Sequence, residues 1–267
     1  MSTYNGSRFL REQLDSILGQ SFTNFRMMIR DDGSIDDTAV ILQDYAARDE
    51  RISLVKDEAD NLGASSSFMR LVAASTAEYF MLADQDDVWL RDKMERSLAK
   101  ISEMAAEFGD EMPLLVFTDL TVVDEHLNTL NPSMWHRQRL DPAISSDWRD
   151  LLAQNVVTGC TIIANRAAAA AALPYAIPEM LHDQWLAVNV ARTGRLGYIK
   201  EPTVLYRQHG SNVAGGIKFG PGYAAGKTGS LGGKVEFFRK AAAHFGGVTA
   251  AELMKRKFRL NLRRFFL

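Results

Sequence analysis

The chain has a single cysteine, Cys160, among its 267 residues. An intrachain disulfide is therefore excluded, and a lone thiol fits a reducing cytoplasm. Excess charge is lacking too: 31 Lys and Arg against 33 Asp and Glu leave a net charge of −2. That balance argues against a nucleic-acid-binding surface, local basic clusters apart. No apolar run reaches transmembrane length, and the first residues lack the charged and apolar regions of a signal peptide. No internal repeat stands out. What remains is an ordinary globular composition, 46% hydrophobic and 24% charged, suited to one large domain or a domain with an appendage. Met1 leads directly into Ser2-Thr3-Tyr4-Asn5-Gly6, which is loop-like. An α/β domain normally opens with an apolar strand, so a shortened first strand is expected.

The most informative stretch is Tyr79-Phe80-Met81-Leu82-Ala83 followed by Asp84-Gln85-Asp86-Asp87. An apolar run of strand length stops in three carboxylates within four residues. Ligands collect at the C-terminal ends of strands in α/β sheets. Carboxylates this close repel one another unless a cation sits among them. Oxygen ligands without a Cys or His cluster suit Mg²⁺ or Mn²⁺. The same residues also read as a helix start, with Asp86 or Asp87 at the N-cap and Leu90, Met94 and Leu98 on the buried face. Phe25 to Ile29 is a second strand running into acid, at Asp31-Asp32-Gly33-Ser34. Strands near 51–55 and 114–123, and helices carrying Leu10, Leu14 and Ile17, then Ile41 and Leu42, then Phe68 and Leu71, complete an alternating pattern. That alternation predicts a mainly parallel sheet flanked by helices. Further on, short strands are expected at 161–163, 197–199 and 204–206, a loop at 135–139, helices at 91–107 and 166–173, and a helix opening at His182. Residues 214–233 are Gly-rich and read as a mobile loop.

Taken in order, Thr3-Tyr4-Asn5-Gly6, Asp31-Asp32-Gly33-Ser34, Asn61-Leu62-Gly63, Asp84-Gln85-Asp86-Asp87, Thr158-Gly159-Cys160, His182-Asp183-Gln184-Trp185 and Tyr206-Arg207-Gln208-His209 resemble the family 2 inverting glycosyltransferases. Each piece is short, but their order and spacing over residues 1–213 are specific. The resemblance implies a GT-A, Rossmann-like nucleotide-sugar-binding and catalytic domain over 1–213, with 214–267 as a C-terminal helical appendage. Within that family, the Gln between the aspartates, His-Asp-Gln-Trp and Arg-Gln-His look most like bacterial rhamnosyltransferases that build surface polysaccharides, with dTDP-rhamnose as donor. The expected partners are a dTDP- or UDP-sugar and a glycan or lipid-linked glycan, and the expected cofactor is Mg²⁺ or Mn²⁺.

The resemblance assigns Thr3, Tyr4, Asn5, Asp31 and Asp32 to the nucleotide. Tyr4 can lie against a pyrimidine, and Asp31 or Asp32 can accept from its N3–H. The plain alternative is a loop tyrosine and a helix cap. Asp84 and Asp86 flank Gln85, so in a strand-like backbone they face one side. By resemblance Asp86 is the direct metal ligand of this DXD-like motif and Asp84 lies nearer the ribose. His209 joins the metal or donates to the diphosphate, and Arg207 offers a forked contact to phosphate. Asp183 is the candidate general base, at a helix N-terminus whose dipole favours its charged form, while burial would push its pKa back up. Its alternative is an N-cap. His182, Gly159 and Trp185 are assigned to the acceptor or sugar, although for Trp185, as for Trp89, core packing is the preferred reading. Cys160 reads as packing.

From Lys234 onward the chain turns basic, and Met254, Phe258, Leu262, Phe265 and Phe266 fall at helical spacing. Such a helix either lies in an anionic membrane interface, placing the protein at the inner face of the cell membrane, or docks its stripe on the domain or a second subunit. Two other functions remain open on these residues. A nucleotidyltransferase would show a Gly-rich basic loop near the N-terminus, which Thr3 to Arg11 is not. A catalytically silent nucleotide-sugar-binding module would bind the donor without turnover.

Overall fold

The computed structural model describes residues 1–56, 59, 61–210 and 231–266. Most of the Gly-rich segment expected to form a loop, residues 214–230, and Ser211-Asn212 lie outside the described residues. Strand β1 (Ser2–Thr3), β2 (Met27–Asp31) and β3 (Ile52–Leu54) form a parallel sheet in the order β1-β2-β3. Helix α1 (Ser7–Leu18) joins the first two and buries Leu10, Gln13, Leu14 and Ile17, the stripe a 3.6-residue period dictates. Helix α2 (Thr38–Arg48) joins β2 to β3 and α3 (Ala64–Ala74) leads to β4 (Tyr79–Met81).

The second sheet is mixed. It contains β4, β5 (Val88–Trp89), β6 (Leu114–Val123), β7 (Thr129–Asn131), β8 (Ile163–Asn165) and β9 (Arg195–Arg207), in the order β4-β8-β6-β9-β5 with β7 on β6. Strand β6, Leu-Leu-Val-Phe-Thr-Asp-Leu-Thr-Val-Val, is buried almost throughout and runs parallel to β9. β8 runs antiparallel to both β4 and β6. The parallel expectation thus holds for the first three strands and the β6–β9 pair. A short apolar run reads alike in either direction, and only its connections set polarity. The two strands expected at 197–199 and 204–206 are one long β9, whose register shifts against Thr118 to Thr121 of β6.

Helix α4 (Lys93–Phe108) begins after Asp92, not at Asp86 or Asp87, because β5 intervenes and pairs with the end of β9. The acidic residues therefore stay in a loop instead of capping a helix. Residues 134–138, expected as loop, form the short helix α5 (Met134–Gln138), capped by Ser133 accepting from the His136 amide at 3.0 Å. Helices α6 (Trp148–Ala153), α7 (Arg166–Ala172) and α8 (His182–Thr193) pack with α3 on one face, around Phe68, Leu152, Leu186 and Val188. Leu10, Leu14, Ile29, Ile41 and Trp89 form the other face's core.

The C-terminal helices α9 (Leu231–Phe245) and α10 (Ala250–Arg263) dock on the domain. Phe238, Ala241, Phe245, Leu253 and Leu260 are buried in the first core cluster. Arg256 pairs with Asp147 and Asp150, each at 2.7 Å, and Arg259 with Asp150 at 2.8 Å. Part of the basic face is thus consumed by the protein. Phe258, Leu262, Phe265 and Phe266 remain exposed. No helix among the described residues is long and apolar enough to cross a membrane.

Candidate active site

Two acidic strand ends and one helix N-terminus converge on a single region. The loop after β1 is held from three sides. Tyr4 donates its amide to Gln85 Oε1 at 2.8 Å and accepts from Gln85 Nε2 at 3.0 Å. Asn5 donates to Ser34 Oγ at 2.9 Å and accepts from the Ile35 amide at 2.9 Å. Its φ of 48° is left-handed, a conformation Asn tolerates better than most residues. The Tyr4 side chain, 47% exposed, is left on the surface. Thr3 is buried, and its hydroxyl donates to Asp31 at 2.8 Å.

Asp31, the last residue of β2, and Asp32 just after it have different surroundings, as alternation along an extended backbone leads one to expect. Half-buried Asp31 accepts from Thr3 and from the Ser34 amide and hydroxyl. Asp32 is buried, paired with Arg30, and accepts from the Leu62 and Gly63 amides at 2.8 Å each. Gly63 has φ +76°, so the glycine of Asn61-Leu62-Gly63 lets this turn aim two donors at one carboxylate. Asp32 is the anchor of the 61–63 turn, and Asp31 is the more open of the two.

In the acidic loop, Asp86 Oδ2 lies 2.8 Å from His209 Nε2. This is the pairing that the resemblance implies for a shared metal position. Asp84 is half-buried, and burial together with the Asp86 and Asp183 charges pushes its pKa up to about 7. Asp87 is fully buried and accepts from the Arg207 amide at 3.1 Å; burial and its two acidic neighbours hold its carboxyl well above the usual range. Asp84, Asp87 and Cys160 bring one donor atom each within 4.8 Å of one another. Burial raises the Cys160 thiol as well, so it stays protonated and is a poor ligand for a hard cation.

Asp183 sits in the first turn of α8 and is 9% exposed. Asn155 Nδ2 donates to it at 3.1 Å and the Gln184 amide at 2.5 Å. Burial outweighs these donors and raises its pKa to about 6. The contest between helix dipole and desolvation, open from sequence, goes to desolvation. A carboxylate so poised is deprotonated at neutral pH yet able to accept a proton.

Four of the expected site residues make their contacts within the protein itself. Trp185 is core, the reading preferred from sequence: it is 1% exposed, donates its indole N–H to the Ala172 carbonyl at 2.6 Å and packs against Tyr175 and Phe245. Residues two apart on a helix point in different directions, so Trp185 and Asp183 meet different neighbours. His182 stacks on Phe68 with centroids 4.3 Å apart, and burial lowers its pKa to about 4, leaving it neutral. A Cβ on Gly159 would lie 2.8 Å from His182 Nε2, so the glycine makes room for that ring. Arg207 is buried, donating to the Asp86 carbonyl at 2.8 Å, the Glu125 carbonyl at 2.7 Å and the Glu12 carboxylate. Its fork braces the acidic loop from behind. The roles of Gln85, Asn155 and Glu12 were not legible in sequence, because each acts on a partner far along the chain.

Strand ends that gather acids in this way are arranged as in the GT-A fold, and solved structures share that fold. S. aureus TarS 1–349 in complex with UDP-GlcNAc matches with a TM-score of 0.66 at 16% identity, over 99% of this chain and 71% of that one. The mannosyltransferase PcManGT from Pyrobaculum calidifontis, in complex with GDP-Man and Mn²⁺, matches with a TM-score of 0.59 at 16% identity, over 99% and 69%. Residues 1–109 match the family described as glycosyl transferase family 2. The dTDP-rhamnosyl transferase RfbG of Shigella flexneri is 27% identical over 228 residues, 80% of this chain and 73% of RfbG. The match to the family 2 glycosyltransferases thus covers residues 1–109, and the likeness to a glycosyltransferase runs over most of the chain.

Proposed function

We propose that the protein transfers a sugar from a nucleoside diphosphate to a hydroxyl of a glycan or lipid-linked glycan, inverting the anomeric centre, with Asp183 as general base. The observation that carries this reading is Asp183 itself, near-neutral in pKa and close enough to the acidic loop for its charge to raise Asp84. The acceptor oxygen attacks the anomeric carbon, its proton passes to Asp183, and the carbon–oxygen bond to the diphosphate breaks. Tyr4 offers its ring to the base of the nucleotide, Asp31 a hydrogen-bond acceptor, and Thr3 and Asn5 hold that loop in shape. Similarity to RfbG supports a dTDP-rhamnose donor.

The acidic loop fits a hard divalent cation, Mg²⁺ or Mn²⁺. Asp84 and Asp86 would supply carboxylate oxygens and His209 a nitrogen; burial, and after it the Asp86 and Asp183 charges, raises Asp84, and a cation would offset both. Lewis-acid stabilisation of the diphosphate charge is what such an ion supplies when bound. Thermal unfolding with dTDP- and UDP-sugars tests both donor and cation. At 100 times its dissociation constant a ligand stabilises by about 2.7 kcal/mol, a Tm rise of roughly 5–10 °C. Asp84, raised to about 7, holds its proton more tightly folded than unfolded, so it stabilises at low pH and loses that contribution as pH rises through 7. The cation therefore raises Tm more at pH 8 than at pH 5. If no nucleotide sugar moves Tm with either ion, the assignment fails.

The exposed Phe258, Leu262, Phe265 and Phe266, set beside Lys255 and Lys257, support contact with an anionic membrane at its cytoplasmic face. Deleting α10 would uncover Leu253 and Leu260, so substitution is the cleaner test. The triple variant Phe258→Ser, Phe265→Ser, Phe266→Ser loses flotation with phosphatidylglycerol vesicles while keeping its Tm. Unchanged flotation counts against the membrane contact.

A further inference from the structure

Two donors meet on one oxygen of the Asp183 side chain: Asn155 Nδ2 at 3.1 Å and the Gln184 amide at 2.5 Å both reach Oδ1. Each is tied to α6. Asn155 is the second residue after that helix, and its own oxygen accepts from the Val157 amide at 3.0 Å. That bond turns the nitrogen end of Asn155 toward Asp183. Gln184 carries its side chain back to the end of α6, donating to the Leu151 and Leu152 carbonyls at 2.9 and 3.1 Å. The Gly159 amide, in the segment that α6 leads into, is a further donor to the carboxylate.

The other end of α6 is gripped by residues 106 to 109 positions away in sequence. Asp147 caps the helix, accepting from the Arg149 amide at 2.9 Å, and buried Asp150 lies in its first turn. From α10, Arg256 Nη1 donates to Asp147 and to Asp150 at 2.7 Å each. Arg259 Nη2 reaches both oxygens of Asp150, at 2.8 and 2.9 Å. Glu252, one turn back on α10, accepts from Arg256 Nε at 3.1 Å and fixes its direction. Leu253 and Leu260 of α10 enter the same apolar cluster as Leu151 and Leu152. With six residues, α6 is only about 9 Å long. So short a helix has no room to bend, and a shift at Asp150 carries through to Asn155.

We propose that α10 is a positioning element for Asp183: Arg256 and Arg259 fix α6, and α6 fixes the donors that hold the carboxylate toward the acceptor. The inference rests on Asp183 being the base, and it gives the C-terminal helix a part in turnover besides its exposed aromatic face. The nucleotide residues are held by other partners, Tyr4 by Gln85 and Asp31 by Thr3 and Ser34. Loosening the clamp therefore lowers kcat and spares donor binding.

The test follows dTDP release from dTDP-rhamnose, with octyl rhamnoside or water as acceptor, beside calorimetric donor titration. Asp147→Asn with Asp150→Asn removes the charges of the clamp at little change of shape, and asparagine caps a helix as well as aspartate does. The arginine side chains, 20% and 55% exposed, are left able to reach water. This variant lowers kcat by about 10–100-fold at unchanged donor affinity. Arg256→Gln with Arg259→Gln opens the same clamp from α10 and gives the same loss. Asn155→Ala loses a similar factor, and adding it to the clamp variant costs nothing more, because groups acting through one contact are not additive. In an Asp183→Asn background the clamp variants change nothing further. Undiminished turnover by Asp183→Asn alone sinks the base assignment and this inference with it. Lost turnover there, with clamp and Asn155 effects that multiply, overturns the positioning role alone. So does a kcat untouched by the clamp, or a donor affinity that falls in step with kcat.

Discussion

Asp183→Asn lowers turnover by roughly 10²–10⁴-fold and leaves donor affinity nearly unchanged. The substitution keeps the shape and keeps an oxygen for Asn155 and the Gln184 amide, and removes only the capacity to take a proton. Single-turnover rates and calorimetric donor titration separate the two effects. The wild-type pH profile supplies a second readout. Because the carboxyl is pushed up to about 6 by burial, kcat/KM falls about tenfold per pH unit below 6 and levels off above it. The linkage sign gives a control on folding. A carboxyl with a raised folded pKa stabilises fully below its unfolded value near 4, and this contribution is lost as pH rises through about 6. The Asn variant is therefore no less stable than wild type at pH 8. Undiminished turnover would remove Asp183 from the mechanism.

Asp32→Ala and its neighbour Asp31→Ala separate in opposite directions. Asp32 and Arg30 are both almost fully buried, and the carboxylate also holds two amides of the 61–63 turn. Removing one partner of a buried pair costs about 3–5 kcal/mol, because the other charge is stranded. For a domain of this size that is a Tm loss of roughly 10 °C. Asp31→Ala loses bonds to Thr3 and Ser34 near the surface, about 1 kcal/mol, and its main effect is weaker nucleotide binding. Thermal unfolding and nucleotide titration on both variants read the difference. A stable Asp32→Ala protein with lost nucleotide affinity would exchange the two roles.

The separate fates of these aspartates show where sequence reading stops. Two strands ending in acid, helices between them and a His-Asp-Gln-Trp helix start are local patterns, written in spacing of a few residues, and they gave the α/β class and the candidate acidic residues. Which of Asp31 and Asp32 turns inward depends on Arg30 and on a turn about 30 residues further along. Arg207 carries phosphate-binding chemistry in its side chain, yet Glu12, Glu125 and Asp86 surround it in the folded chain. Trp185 has the same neighbours in sequence as Asp183 and points the other way.

By itself the sequence determined the alternation of strands and helices, the acids at strand ends and the candidate base, since hydrophobic period and side-chain chemistry are properties of short segments. Only the tertiary structure decided that β8 runs antiparallel, that Asp183 titrates near 6 and that α10 clamps α6. Strand direction, desolvation and ion pairs between helices are set by what distant segments bring to one place, and no window of the chain contains them.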